Sequence, residues 1–252
     1  MFKRKFLFIP LVLCTVICFA ACLDDKGNSE TYTSEIVVGY SSQMGGTTIR
    51  TQVGELAAPG LSLNSGDCFV GEFKIDYDNQ PSSKYYTASD IVVKYTVSQD
   101  PAKKGKSENM SKEFNEPISN ILGVVATPYY YGKNFIYLTQ KASSEQRYKY
   151  DLFCNKDSLV GSMGERNVYS VYLRAKKDNE SQETVVDRTF YHAFDMSSYF
   201  MDSDMAKDTT IESTGAKFRI IRIDLKYQTG EKDGKPVYKS YSNKPIMFST
   251  FN

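Results

Sequence analysis

The sequence predicts an all-β chain, and three observations carry that reading. Apolar residues recur at every second position along most of its length, the mark of strands with one buried face. Helical periodicity is scarce. The composition is that of a folded globular protein: 41% of the 252 residues are apolar, about 47% once the 16 glycines are added, which matches average usage and excludes a disordered or collagen-like chain.

The chain opens with a segment of another kind. Lys3, Arg4 and Lys5 precede an apolar stretch from Phe6 to Phe19 and the small pair Ala20 and Ala21, the pattern of a secretory signal peptide over residues 1–21. Phe6 to Ala21 is about 16 residues, short of the roughly 20 a spanning helix needs. Cleavage is therefore expected rather than anchoring by the helix. Phe19-Ala20-Ala21-Cys22 resembles a bacterial lipobox, with Phe19 where Leu, Val or Ile is usual. The resemblance implies a diacylglycerol on the Cys22 thiol and cutting before that residue. Two or three acyl chains on one residue hold a protein firmly to a bilayer, so outer-membrane lipid is the first expected partner.

Residues 22–34 read as an acidic flexible tether. Within it Asp24 and Asp25 resemble the export signal of Bacteroidota surface lipoproteins, which implies an outer-membrane protein facing the cell exterior. Loss of Lys3, Arg4 and Lys5 takes the 31 basic residues to 28 against 30 acidic ones, a net of about −2, so no phosphate backbone is an expected partner. Cys14 and Cys18 leave with the signal, and Cys68 and Cys154 are expected to be separate, buried and inert.

In the body, Gly71, Phe73, Ile75 and Tyr77 alternate with Glu72, Lys74 and Asp76. Ile91, Val93, Tyr95 and Val97 alternate with Val92, Lys94 and Thr96, and Tyr148, Tyr150, Leu152 and Cys154 with Arg147, Lys149 and Asp151. Further strands are expected at 36–40, 47–52, 121–126, 135–139, 168–175 and 184–191. Ile221, Ile223, Leu225 and Tyr227 against Arg222, Asp224 and Lys226 give a long strand. It leads to Asp233-Gly234, the positive-φ pair of a tight hairpin. A last strand is expected over 239–251, with Pro245 at an edge or bulge. Met196 to Phe200 could form one turn capped by Asp195, and 202–208 a second short helix. The polar run from Asp100 to Asn120 reads as a long excursion between sheets or domains, with Lys103, Lys104 and Lys106 in a solvated loop.

Ile49-Arg50-Thr51-Gln52-Val53-Gly54-Glu55-Leu56-Ala57-Ala58-Pro59, with Gly66-Asp67 opening the next strand, resembles the amino-terminal module of the NigD-like lipoproteins. Val171-Tyr172-Leu173-Arg174-Ala175, Asp178, Phe194-Asp195-Met196-Ser197-Ser198-Tyr199 and the Arg- and Lys-bearing strand at 218–227 resemble the same family. The resemblance implies an OB-like barrel over residues 35–127 followed by an antiparallel β-sandwich over 128–252. It also points to bacteriocin immunity as one possible role, the family having no established biochemical activity.

The candidate chemistry is sparse. His192 is the single histidine, so any Ser-His-Asp or Cys-His machinery must pass through it; a structural role is expected. Gly161-Ser162-Met163-Gly164 lacks the spacing of a nucleophile elbow and reads as a loop. Asp76, Asp78 and Asn79, and Asp202, Asp204 and Asp208, resemble halves of a calcium loop but lack its Gly and terminal Glu. They read as solvated turns, and neither a metal nor a cofactor is expected. Tyr129, Tyr130 and Tyr131 form a dense aromatic patch that could stack on a sugar or anchor a protein partner. These features favour a non-catalytic binding or accessory protein for a glycan or an envelope protein. The alternatives are a fimbrial or adhesin-type subunit, a bacteriocin-immunity protein, and an envelope hydrolase using paired Asp or Glu, which leave no spacing in sequence.

Overall fold

A computed structural model describes residues 27–41, 47–64, 66–81, 85–97, 99–105, 112–126, 133–142, 146–163, 166–179, 186–202, 204–210 and 215–251. Cys22, Asp24, Asp25, Tyr129, Tyr130 and Tyr131 lie outside the described residues.

The molecule is all-β. Strands β1 (Ser29–Ser41), β2 (Thr47–Thr51), β3 (Gly54–Ala57), β4 (Cys68–Asp76) and β5 (Tyr86–Thr96) pair in the order β1-β2-β3-β5-β4 and close into a barrel. Closure rests on a short parallel match of Leu56 with Tyr86 and Ala57 with Thr87. Ile49, Leu56, Phe69, Phe73, Ile75 and Ala88 fill its interior, so the alternation at 71–77 is the barrel's inward face.

The next strands form two sheets. β6 (Gln99–Pro101), β12 (Val186–Asp195), β9 (Lys133–Ala142) and β8 (Asn120–Ala126) make a four-stranded sheet. β13 (Lys207–Thr210), β14 (Lys217–Lys232), β11 (Arg166–Lys177), β10 (Tyr148–Met163) and β7 (Lys103–Lys104) make the other, with β15 (Lys235–Ser240) and β16 (Ile246–Phe251) also on β14. The sheets share one core, in which Ile121 and Phe194 of the first meet Val171, Leu173, Ile221, Ile223, Leu225 and Tyr227 of the second. The sandwich is antiparallel except where β11 pairs with β14, β10 with β7 and β12 with β6.

The four-stranded sheet is the middle layer. Phe190 and Phe194 of β12 face the sandwich core, whereas Ala193, between them in the pleat, joins Cys68, Val70, Val97 and Val125 in a cluster against the barrel. A bulge between Ile121 and Gly123 lets β8 serve both sides, placing Ile121 in one cluster and Val125 in the other.

The structure differs from the sequence reading at several points. β6, β7 and β8 belong to the sandwich sheets, so the chain leaves the barrel after Thr96 and not at residue 127. Residues 112–120 are no solvated excursion: Phe114 and Ile118 are buried, Glu116 N–H donates to the Ala175 carbonyl, and Ile118 N–H donates to the Gln228 carbonyl. The segment wedges between β11 and β14 where these strands splay apart. Residues 161–163 are strand, held by pairing of Ser162 with Asn167, because β10 and β11 form a long hairpin. The second short helix is a turn closed by Ala206 N–H on the Asp202 carbonyl, followed by β13. The last strand is two, β15 and β16, separated by Pro245 and paired with different stretches of β14. Val93 and Tyr95 are 41% and 48% exposed, since bulges in the β4·β5 pairing and positive φ at Asp90 turn that strand out of the barrel.

Other expectations hold. Asp233 and Gly234 take φ 53° and 70° in the β14–β15 hairpin. The Asp195 carboxylate accepts Ser197 N–H at 2.8 Å at the start of α1 (Ser197–Phe200). Cys68 and Cys154 are buried free thiols in separate clusters, and burial pushes Cys154 up to about 12 and Cys68 well above its ordinary value. Thiolate is the reactive form. In a Cys22→Ala form without the signal, neither thiol should react with Ellman's reagent at pH 8 until the chain is unfolded. Fast labelling of the native protein would contradict this packing.

Candidate binding face

Strand alternation sends Lys149, Asp151 and Phe153 of β10, Ser170, Tyr172, Arg174 and Lys176 of β11, and Arg222, Asp224 and Lys226 of β14 away from the core. They form the outer face of the seven-stranded sheet, on the side opposite the barrel. Register aligns them in rows: Asp151 opposite Arg174, Phe153 opposite Tyr172, Tyr172 beside Lys226, and Gln228 beside Tyr238 of β15. A polar outer sheet face is ordinary. This one is unusual in burying its charges, with Asp151 at 8%, Arg174 at 5% and Arg222 at 3% exposure.

One end of the face is a cleft of about 570 Å³ lined by Lys103, Lys104, Gly105, Glu113, Phe114, Asp151 and Phe153. Lys103 Nζ donates to both oxygens of Asp151 at 2.6 Å and lies 5.6 Å from the ring centroids of Phe114 and Phe153. A carboxylate and two rings thus flank this cation, whose side chain is 50% exposed, and the contacts fix β7 to the sheet edge. Lys176 Nζ also lies 5.1 Å from the Phe114 ring centroid and donates to Glu113 at 2.9 Å. That bond raises the lysine's proton affinity and lowers the carboxyl's. On the opposite side of β7, Lys104 Nζ is 5.5 Å from the Tyr199 ring and 3.7 Å from Asp202.

Farther along the face, Tyr172 and Tyr238 meet edge to face at 4.9 Å, and Lys226 Nζ lies 5.9 Å over Tyr172 and 3.6 Å from Asp224. Ser240 Oγ donates to Asp224 at 3.3 Å. Arg174 Nε donates to Gln228 Oε1 at 2.9 Å, and Gln228 Nε2 donates to the Asn115 carbonyl at 3.4 Å. Burial raises the Tyr238 hydroxyl above its ordinary value, with the Arg174 charge pulling the other way. Tyr238 therefore stays a neutral phenol at physiological pH.

The remaining candidates separate from this face. His192 Nε2 lies 3.0 Å from Asp100 Oδ2, with its ring 4.7 Å from Phe194 and 5.3 Å from Tyr150, in the sandwich interior. Burial lowers its proton affinity below the ordinary 6.5, Asp100 opposing. Folding thus favours neutral imidazole. Its contribution to stability is complete above about pH 6.5 and is lost as pH falls through the lower folded value. Melting temperature should drop between pH 7 and 5, and His192→Gln should flatten that slope; an unchanged slope would mean the imidazole is not the group responsible. Asp76 accepts the N–H groups of Asp78 and Asn79 and the Asn79 amide, and Asp202 accepts Asp204 N–H. These carboxylates cap their own turns.

Lys103, read in sequence as a solvated loop residue, belongs to the cleft. Asp151, Lys149, Asp224 and Lys226 were visible only as the outward partners of apolar alternation. Arg174 and Tyr172 entered through the family resemblance.

The architecture is a five-stranded OB-like barrel joined to a two-sheet sandwich with a cationic, tyrosine-bearing outer face. No family model and no curated relative matches the chain. Among solved structures, an uncharacterized protein from Parabacteroides merdae aligns with TM-score 0.57 and 14% identity, covering 87% of this chain and 96% of that one. A putative toxin related protein from Parabacteroides distasonis aligns at 0.47 and 13% identity, over 87% and 93%. A NigD-like immunity protein from Bacteroides caccae aligns at 0.42 and 14% identity, over 88% and 97%. The first is a likeness of fold, extending over nearly all of both chains.

Proposed function

We propose that this chain is a non-catalytic binding protein, held at the outer membrane through acylated Cys22 and facing the cell exterior, that presents the outer face of its seven-stranded sheet to a ligand. The observation that carries the reading is that face itself: buried and half-buried cations, carboxylates, amides and tyrosines set in register on a rigid sheet, away from the barrel. Hydrogen-bonding groups fixed by strands bind at low entropic cost because they are ordered before the ligand arrives. The anchor rests on Phe19-Ala20-Ala21-Cys22, and the orientation on Asp24 and Asp25.

Protease shaving of intact cells, with mass spectrometry of the amino-terminal peptide and a Cys22→Ala version alongside, tests attachment and orientation. Acylated peptide and a shaved body are expected; an unacylated start would remove the anchor, and a protected body would place the ligand in the periplasm. A glycan array and an envelope pull-down with the same protein test the binding role. Absence of any ligand at high micromolar concentration in both would count against it. Immunity to a bacteriocin is a binding function of the same kind, and protection of sensitive cells would narrow the reading to it.

A further inference from the structure

The lysines of the outer face each have a carboxylate. Lys103 has Asp151, Lys149 has Asp178, Lys176 has Glu113 and Lys226 has Asp224. Arg174 is more deeply buried than any of them, at 5% exposure, and its bonded partner among the described residues is a neutral amide, Gln228. Asp151 stands opposite Arg174 in the β10·β11 register and is the natural counterion, yet both its oxygens are bonded to Lys103. A guanidinium carries five N–H donors in a planar fork that matches an oxyanion. Nε uses one of them here. Buried charge is ordinarily paired, and among the described residues the protein supplies no carboxylate that pairs with this one.

We propose that Arg174 is an oxyanion-binding residue, and that the ligand of the outer face is an acidic saccharide whose carboxylate or sulfate pairs with Arg174 while its ring lies against Tyr172 and Tyr238. The inference rests on the binding role proposed above and names the ligand class. The surroundings select a sugar over an acidic protein. Beside Arg174 stand the half-buried rings of Tyr172 and Tyr238, which suit the face of a sugar, while Gln228, 0% exposed, holds the guanidinium from within. The core of a protein interface is apolar, and on this sheet the exposed apolar residues Leu159, Val237 and Met247 are scattered over three strands and form no such core. Lys103 reinforces the site indirectly, because its hold on Asp151 keeps that carboxylate from closing the guanidinium.

The test is titration calorimetry on the full chain in detergent with three probes: oligogalacturonate, its fully methyl-esterified neutral form, and a heparin tetrasaccharide. Oligogalacturonate or the heparin fragment should bind with submillimolar Kd, and which of them binds distinguishes carboxylate from sulfate. The ester should bind at least tenfold more weakly than the acid, and Arg174→Gln should lose at least tenfold for the acidic probe. Arg174→Lys keeps the charge without the fork and should fall between. Should Arg174→Gln fail to fold, the folded lysine variant decides, together with inorganic sulfate, which should raise the melting temperature of the natural chain and not of Arg174→Lys. Equal binding of acid and ester, or an Arg174→Lys affinity equal to the natural one, would overturn the inference. So would an acidic peptide binding where the saccharides do not. Arg174-independent capture of a neutral glycan would overturn it while leaving the binding role standing; absence of every ligand would remove both.

Discussion

Tyr199→Ala is expected to destabilise the sandwich by about 3–5 kcal/mol, the cost of removing a large buried aromatic side chain. Tyr199 is 0% exposed and sits on α1, whose four residues cannot hold a helix without packing. Its ring enters the core shared by the two sheets, and its hydroxyl donates to the Lys103 carbonyl. Lys104 covers another part of the ring. One side chain therefore fastens the turn after β12 to β7, the strand that carries Lys103 into the cleft. Truncation leaves a cavity and a carbonyl without its donor, and loosens the cleft as well as the core. Tyr199→Phe keeps the ring and should cost about 1 kcal/mol, the usual net worth of one hydrogen bond. Thermal unfolding of both variants by calorimetry and near-ultraviolet circular dichroism measures the difference. A similar loss in the two would place the effect in the hydroxyl and refute the cavity argument.

The motif around Tyr199 shows what the sequence could disclose. Phe194-Asp195-Met196-Ser197-Ser198-Tyr199 stood out as a family-like string, and its structural reason is burial: Phe194, Met196 and Tyr199 are 1%, 0% and 0% exposed. Long strands were legible because a two-residue period with one buried face repeats enough times to be distinctive. Short strands were not. β6 and β7 span three and two residues, far too few for a period, and are defined by parallel pairing with β12 and β10 instead. Residues 114–118 hide for a related reason, since Phe114 and Ile118 are single apolar residues in a polar run, buried by the splaying of β11 from β14. The candidate face was half legible. Its residues appear as the polar positions of alternating strands, which sequence reading assigns to solvent, and only the register shows Asp151 facing Arg174 while bonded to Lys103. That choice of partner depends on a parallel match between Phe153 and Lys103, residues fifty positions apart, which no local pattern encodes.

Gly71→Ala is expected to be the most damaging small substitution in the barrel. A Cβ on Gly71 would stand 2.6 Å from the Val92 carbonyl oxygen and 2.9 Å from Phe69 Cε2. The nearer atom is backbone, so no rotamer change relieves the contact; β4 and β5 must separate. They cannot do so freely, because Gly71 is paired on one side with Val93 and on the other with Glu35 of β1, at a register shift that already crowds the two strands. Overpacking of this kind costs about 1–3 kcal/mol, and a clash with backbone belongs at the upper end. For a unit as small as the barrel that is a fall in melting temperature on the order of 10 °C. Amide hydrogen exchange localises the effect: β4 and β5 should lose protection, while β10 and β11, whose hairpin belongs to the other core, should keep theirs. An alanine variant as stable as the natural chain would show that β5 does not lie against Gly71. Loss of protection spread equally over both cores would show instead that the cluster of Cys68, Val70, Val97, Val125 and Ala193 binds barrel and sandwich into one cooperative unit.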